Sequence, residues 1–189
     1  MAGESTARTV NPFRMFTAVD LVTVAALAAL FRVMDYFTSA MAFVFPFNTL
    51  LMCLTYGLTA VVAAMVVRKT GVFTLFTIAA QAINFFLQGE VLVAVLIMSL
   101  WGVLADIYVY LRLKAGADPF ASLGNTLIIG ILLGLVWVVT TYWIAFPRIF
   151  LVELSTGIYA ALGALGIVSV TAGSLLGFGL GNRIKGLIG

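Results

Sequence analysis

The chain has 189 residues, 63% of them hydrophobic and 9% charged, with ten Lys or Arg, seven Asp or Glu and no His. Soluble domains carry roughly 25% charged residues, so this composition excludes an ordinary soluble fold and suits a chain whose solvent is lipid. The lack of His removes haem ligation by His, His-containing zinc sites and Ser-His or Cys-His nucleophile pairs; neither a metal nor a cofactor is expected.

Residues 1–16 are polar and lack an apolar stretch ahead of a small-residue cleavage site, so they read as a cytoplasmic N-terminal segment rather than a cleaved signal peptide. Six apolar runs follow, at about 19–40, 47–67, 72–87, 91–111, 123–146 and 156–180. A helix needs roughly 20 apolar residues to span a bilayer. The expected fold is therefore all-α: a polytopic membrane protein with a bundle of six transmembrane helices forming one domain over 1–189.

The first run contains Ala25 and Ala29, a small-xxx-small pair. It also contains Arg32 and Asp35, whose spacing of three allows them to pair. A snorkelling salt bridge at the outer interface and a functional role remain open for this pair. The second run holds Cys53, the only cysteine, which reads as a small buried hydrophobe. The third is the shortest. In the fourth, Asp106 shares a helical face with Ser99 and Gly102 and reads as an interfacial or capping carboxylate near Arg112. The longest connection inside is expected at 114–122. In the fifth and sixth runs, Gly130 with Gly134, and Gly166 with Gly173 and Gly177, mark faces where helices pack closely within the chain.

The charges are sorted. With the N-terminus inside, the inner segments hold Arg8, Arg14, Arg68, Lys69, Arg112, Lys114, Arg183 and Lys185, and the outer loops hold Arg148 alone. This asymmetry predicts an N-in, C-in topology. It also explains the net charge of +3 without nucleic-acid binding. Glu90, Glu153, Trp143 and Phe146 then fall on the outer side, and Tyr108 and Tyr110 on the inner.

Thr74, Thr77, Gln81, Asn84 and Gln88 follow spacings of three and four, which puts them in one stripe on the third helix. Phe76, Ile83 and Leu87 make the opposite, apolar face. Such a stripe must look into the bundle, either as an interhelical hydrogen-bond seam or as the wall of a ligand cavity. Two large amides one turn apart favour a cavity, since each can donate and accept. The expected substrate site is Gln81, Asn84 and Gln88, with Tyr142 and Trp143 at the same outer level and Glu90 or Glu153 as counter-charge for a cationic ligand.

Arg32 is left out of that site. Ala25, Ala29, Arg32 and Tyr36 lie on nearly one helical face, and a straight helix cannot aim one face at both a partner and an internal cavity.

The Ala25/Ala29 pair, the segment Val67-Arg68-Lys69-Thr70-Gly71, the short third helix ending at Gln88-Gly89, and Gly102-Val103-Leu104-Ala105-Asp106 together resemble the S components of energy-coupling factor (ECF) transporters. The similarity covers the whole chain and is nearest the thiamine and hydroxymethylpyrimidine branch. That branch often has a carboxylate in the third helix, where this chain has Asn84. The resemblance implies a multi-pass protein of a prokaryotic plasma membrane that binds a small vitamin-like substrate and is not an enzyme. It would dock through Ala25 and Ala29 on a membrane scaffold subunit driven by two cytoplasmic ATPases. The chain has no G-x-x-x-x-G-K-[ST] loop, so ATP hydrolysis would come from those partners. The competing reading is an autonomous secondary transporter or channel for a small organic solute, with Asp106 as its coupling carboxylate.

Overall fold

The computed structural model describes residues 15–40, 47–89, 91–151 and 155–188. Among these, the regular structure is entirely helical. The helices are α1 (Ala18–Ala40), α2 (Phe47–Val67), α3 (Val72–Gln88), α4 (Leu92–Lys114), α5 (Leu123–Arg148) and α6 (Thr156–Ile188). They fall on the six apolar runs. Two are irregular: α4 tightens into a 3-10 turn at Ser99–Gly102, and α5 widens into a π-helical stretch at Val139–Ala145.

Four helices, α2, α4, α5 and α6, are long and apolar enough to cross a membrane. The chain is thus an all-helical protein suited to a membrane. Helix α3 is apolar but shorter, at 17 residues. Helix α1 has 23 residues and carries Asp20, Arg32 and Asp35. Helix α6, with 33 residues, runs roughly 50 Å at about 1.5 Å per residue. Large apolar side chains stand exposed around the exterior, among them Val22, Val33, Phe86, Leu96, Ile107, Val168 and Leu176. So much exposed apolar surface marks a face for lipid or for another protein.

The bundle is held by backbones in close approach. A methyl group added to Gly173 on α6 would lie 1.9 Å from the carbonyl oxygen of Leu54, and one on Gly57 would lie 2.1 Å from that of Val170. Helices α2 and α6 therefore touch along a seam of small residues, the contact that pays best where no hydrophobic drive acts between helices. Gly130 and Gly134 do the same between α5 and α6, and Gly166 sits under the ring of Trp137. These glycines serve packing within the chain.

The junction of α3 and α4 shows another close contact. Gly102 lies against the backbone of Phe73 and Thr74, with room for no side chain. Asp106, one turn on, then reaches the start of α3. Its Oδ1 accepts hydrogen bonds from the N–H groups of Gly71 (3.0 Å) and Phe73 (3.2 Å), and its Oδ2 accepts one from Thr74 (2.7 Å). A helix start has orphan N–H donors and a positive dipole end, and this carboxylate answers both. Asp106 is a cap, as the sequence suggested, but it caps a neighbouring helix. Gly71 closes the turn between α2 and α3 with a left-handed φ of 86°.

Several turns gather at one end of the bundle. Lys69 pairs with Asp20 at the start of α1 and also donates to the carbonyl of Met15. Arg68 pairs with Asp118 in the connection between α4 and α5. The core is a chain of aromatic rings. Phe76 meets Phe31 and Tyr56 at centroid distances of 6.0 and 6.1 Å, Tyr56 meets Trp101 at 5.4 Å, and Trp101 meets Trp137 at 6.3 Å. Phe76 therefore does not share an outward face with Ile83 and Leu87. The inward arc of α3 is wider than the polar stripe and takes in Phe73, Phe76 and Ala80 as well.

Candidate functional site

At the end of the bundle opposite those turns lies a cavity of about 480 Å³. Helix α1 contributes Arg32, Asp35 and Ser39, α2 contributes Thr49 and Met52, and α3 contributes Asn84. Met98 and Trp101 come from α4, and Trp137, Thr141, Tyr142 and Phe146 from α5. Phe150, just past α5, completes the wall. The volume is within the usual range for a small-molecule site, and so is the mixture of aromatic walls and few polar groups.

The polar part is built on α1. Arg32 and Asp35 are each only 5% exposed. Nη1 of Arg32 donates to Oδ2 of Asp35 at 2.8 Å, Nη2 donates to Oε1 of Gln81 at 2.7 Å, and Nε donates to the carbonyl of Ala80 at 2.8 Å. The spacing of three does pair these two residues, but inside the bundle. The pair is therefore no snorkelling bridge. Burying an ion pair is tolerable only when further hydrogen bonds complete it, and Gln81 and Ala80 supply them.

Arg32 also resolves the conflict over the face of α1. Val24, Ala28, Phe31 and Asp35 form its buried face, and Ala25 is exposed with Ala29 at the margin. Arg32 stands at the border between the two faces, and its long side chain swings inward. One side of α1 can then face outward while Arg32 lines the cavity, so the reason for leaving it out of the site falls away.

The stripe on α3 divides along its length. Thr77 donates to Ser99 O across to α4 at 2.9 Å, and Gln81 is fully buried against Arg32. This lower half is a hydrogen-bond seam. Asn84, 3% exposed, lines the cavity, and its amide has no partner among the described residues. Gln88 ends the helix, and nothing is described of its side chain. Glu90 and Glu153 lie outside the described residues. Of the two aromatics expected on α5, Tyr142 lines the cavity, and Trp143 turns outward with 56% exposure.

The π-helical stretch explains why so much of the wall comes from α5. One wide turn changes the register, so that Thr140, Thr141, Tyr142 and Ala145 are all buried. Such π segments are frequent at functional sites. Sequence periodicity missed Thr141 and Trp101 because they lie in the π stretch and in the 3-10 turn of α4, and missed Trp137 because the regular part of α5 is apolar on every side and shows no preferred face. Tyr142 stacks edge-on against Trp137 at 5.3 Å and Phe146 at 5.2 Å, which continues the core aromatic chain to Phe150. The Thr141 hydroxyl and the indole nitrogens of Trp101 and Trp137 have no hydrogen-bond partner among the described residues. Orphan buried groups cost about 1–3 kcal/mol each, so a ligand or water that meets them stabilises the site. Among the described residues, no group of three His, Cys, Asp or Glu could hold a metal ion.

Comparison of the chain with family models, curated proteins and solved structures yields no match.

Proposed function

We propose that this chain is the substrate-binding membrane subunit of an ECF-type transporter, with six membrane spans and both termini in the cytoplasm of a prokaryotic cell. It binds a small, water-soluble, ring-containing compound of the vitamin class and works with a scaffold subunit and two ATPases. One observation carries the reading: a cavity of about 480 Å³, walled by aromatics and an unpartnered amide, lies at the end of the bundle away from Arg68 and Lys69. By the positive-inside rule the basic end is cytoplasmic, and the cavity then opens to the outside, where a nutrient is captured. Ala25 and Ala29 leave a low step on α1 among the exposed apolar side chains Leu21, Val22 and Val33, which supports a docking surface for the scaffold.

The alternative, a self-sufficient secondary transporter or channel, gains no support. Asp106 is fixed by three backbone donors and Asp35 by Arg32, so neither is poised to couple an ion. Vesicles holding this protein alone test the reading. Saturable binding without accumulation is expected; uptake driven by a sodium or proton gradient would replace this reading with the alternative.

A further inference from the structure

A groove of about 400 Å³ runs over the seam of α2 and α6, lined by Leu58 of α2 and by Leu175, Leu176, Gly179, Leu180 and Arg183 of α6. We propose that this groove seats an acyl chain of an anionic phospholipid of the cytoplasmic leaflet, with the headgroup phosphate on Arg183. The groove shares no residue with the ligand cavity, and only the choice of leaflet rests on the orientation proposed for the chain.

Leu176, Gly179, Leu180 and Arg183 follow spacings of three and four, so they make one stripe along α6. Leu176 and Leu180 stand 56% and 43% exposed. Gly179 lies between them, well inside the helix, where a glycine lowers helix stability relative to alanine. Packing among the described residues does not explain it, because an added methyl would meet nothing within 4 Å. Gly173, Gly177 and Gly181, by contrast, each lie against α2. Gly179 therefore leaves a notch that no described residue fills, of the kind that lets a ligand approach a backbone closely. From Leu175 to Arg183 the helix rises about 12 Å at about 1.5 Å per residue, within the roughly 15 Å of hydrocarbon that one leaflet provides.

One end of the groove is charged. Gly181 faces Met65 near the end of α2, and Arg68 and Lys69 follow directly, so Arg183 stands at the basic end of the bundle. Arg68 and Lys69 are each paired with an aspartate. Arg183 is exposed and has no hydrogen-bond or ion-pair partner among the described residues. A guanidinium at the end of an apolar groove matches a phosphate at the end of an acyl chain, since its planar donors suit phosphate oxygens. Basic residues beside a cytoplasmic leaflet also favour its anionic lipids. A zwitterionic lipid brings its own cation to the guanidinium and gains less.

Native mass spectrometry of the purified full chain reads this site. The probes are dioleoyl phosphatidylglycerol and dioleoyl phosphatidylcholine, alike in their chains and offered at equal concentration in detergent micelles. Phosphatidylglycerol should be retained in preference by about threefold or more. Equal retention of the two overturns the inference. A complex of two chains in place of lipid adducts would assign the groove to a second copy and overturn it as well.

Variants assign the two parts of the seat. Arg183→Gln should abolish the preference for phosphatidylglycerol, and Gly179→Phe, which fills the notch, should lower retention of both lipids. Lys114→Gln should leave the preference unchanged, although Lys114 is exposed at the same end, close to the connection that holds Asp118. An unchanged preference in Arg183→Gln, or an equal loss in Lys114→Gln, would mean diffuse attraction to basic surface and overturn the proposal. Parental retention by Gly179→Phe would overturn it too, because the chain would then lie elsewhere. If Gly179→Phe does not fold, the comparison of Arg183→Gln with Lys114→Gln still decides. Each of these failures leaves solute binding in the cavity, and so the binding-subunit reading, untouched.

Discussion

Asp106 on α4 accepts a 2.7 Å hydrogen bond from the backbone N–H of Thr74, so the start of α3 is capped by a side chain from its neighbour. Asp106→Ala strands three N–H donors at once. It should destabilise the fold by about 1–3 kcal/mol, the range for lost caps and orphaned buried donors. Asp106→Asn keeps one acceptor oxygen and should cost less. Unfolding of both variants in detergent measures this; an Asp106→Ala protein as stable as the parent would mean the cap is idle.

The glycines of α6 should separate into two kinds. Gly173→Ala puts a methyl 1.9 Å from a backbone oxygen of α2, so the helices must part and stability must fall. At Gly179 an added methyl meets nothing within 4 Å, and Gly179→Ala should be neutral or stabilise by up to about 1 kcal/mol through helix propensity. Opposite signs in a thermal unfolding assay are the expected result. Loss of stability in both would point to a different packing of α6.

If the cavity holds a small ring compound as proposed, Asn84→Ala should weaken its binding by about tenfold or more, since it removes the amide that faces the cavity. Phe86→Ala, at an 82% exposed position two residues on, should leave affinity unchanged. Calorimetry on the two variants gives the comparison. Equal affinities would make Asn84 part of the structural seam with Thr77 and Gln81.

Orientation is open to labelling once the single native cysteine, Cys53, is replaced. Cysteines introduced at Lys69 and Lys114 should be shielded from an impermeant thiol reagent applied to intact cells. One at Leu151, 78% exposed near the mouth of the cavity, should react. The reverse pattern would invert the topology and place the cavity inside.

If the chain docks on a scaffold subunit as proposed, Ala29→Trp should impair that assembly while leaving ligand affinity nearly intact, because Ala29 lies at the margin of the buried face. Copurification of the subunits reads this directly. Normal assembly would reduce the Ala25/Ala29 pair to incidental surface.

Periodicity and charge alone were enough to place the helices and to show that the polar stripe of α3 must turn inward, since the cost of wetting an apolar run or burying an amide depends on residue type and spacing. The run at 72–87 and its stripe of Thr77, Gln81 and Asn84 were legible for that reason. The tertiary structure decided what each of those side chains faces. Gln81 is spent on Arg32, and Asn84 is left for the cavity. Arg32 enters the wall because its side chain is long enough to cross from the border of α1. Tyr142 turns inward and Trp143 outward because the wide turns of α5 shift a register that an ideal helix would have kept. These outcomes depend on neighbours distant in sequence and on local departures from regular geometry, and neither is written in the spacing of residues along one helix.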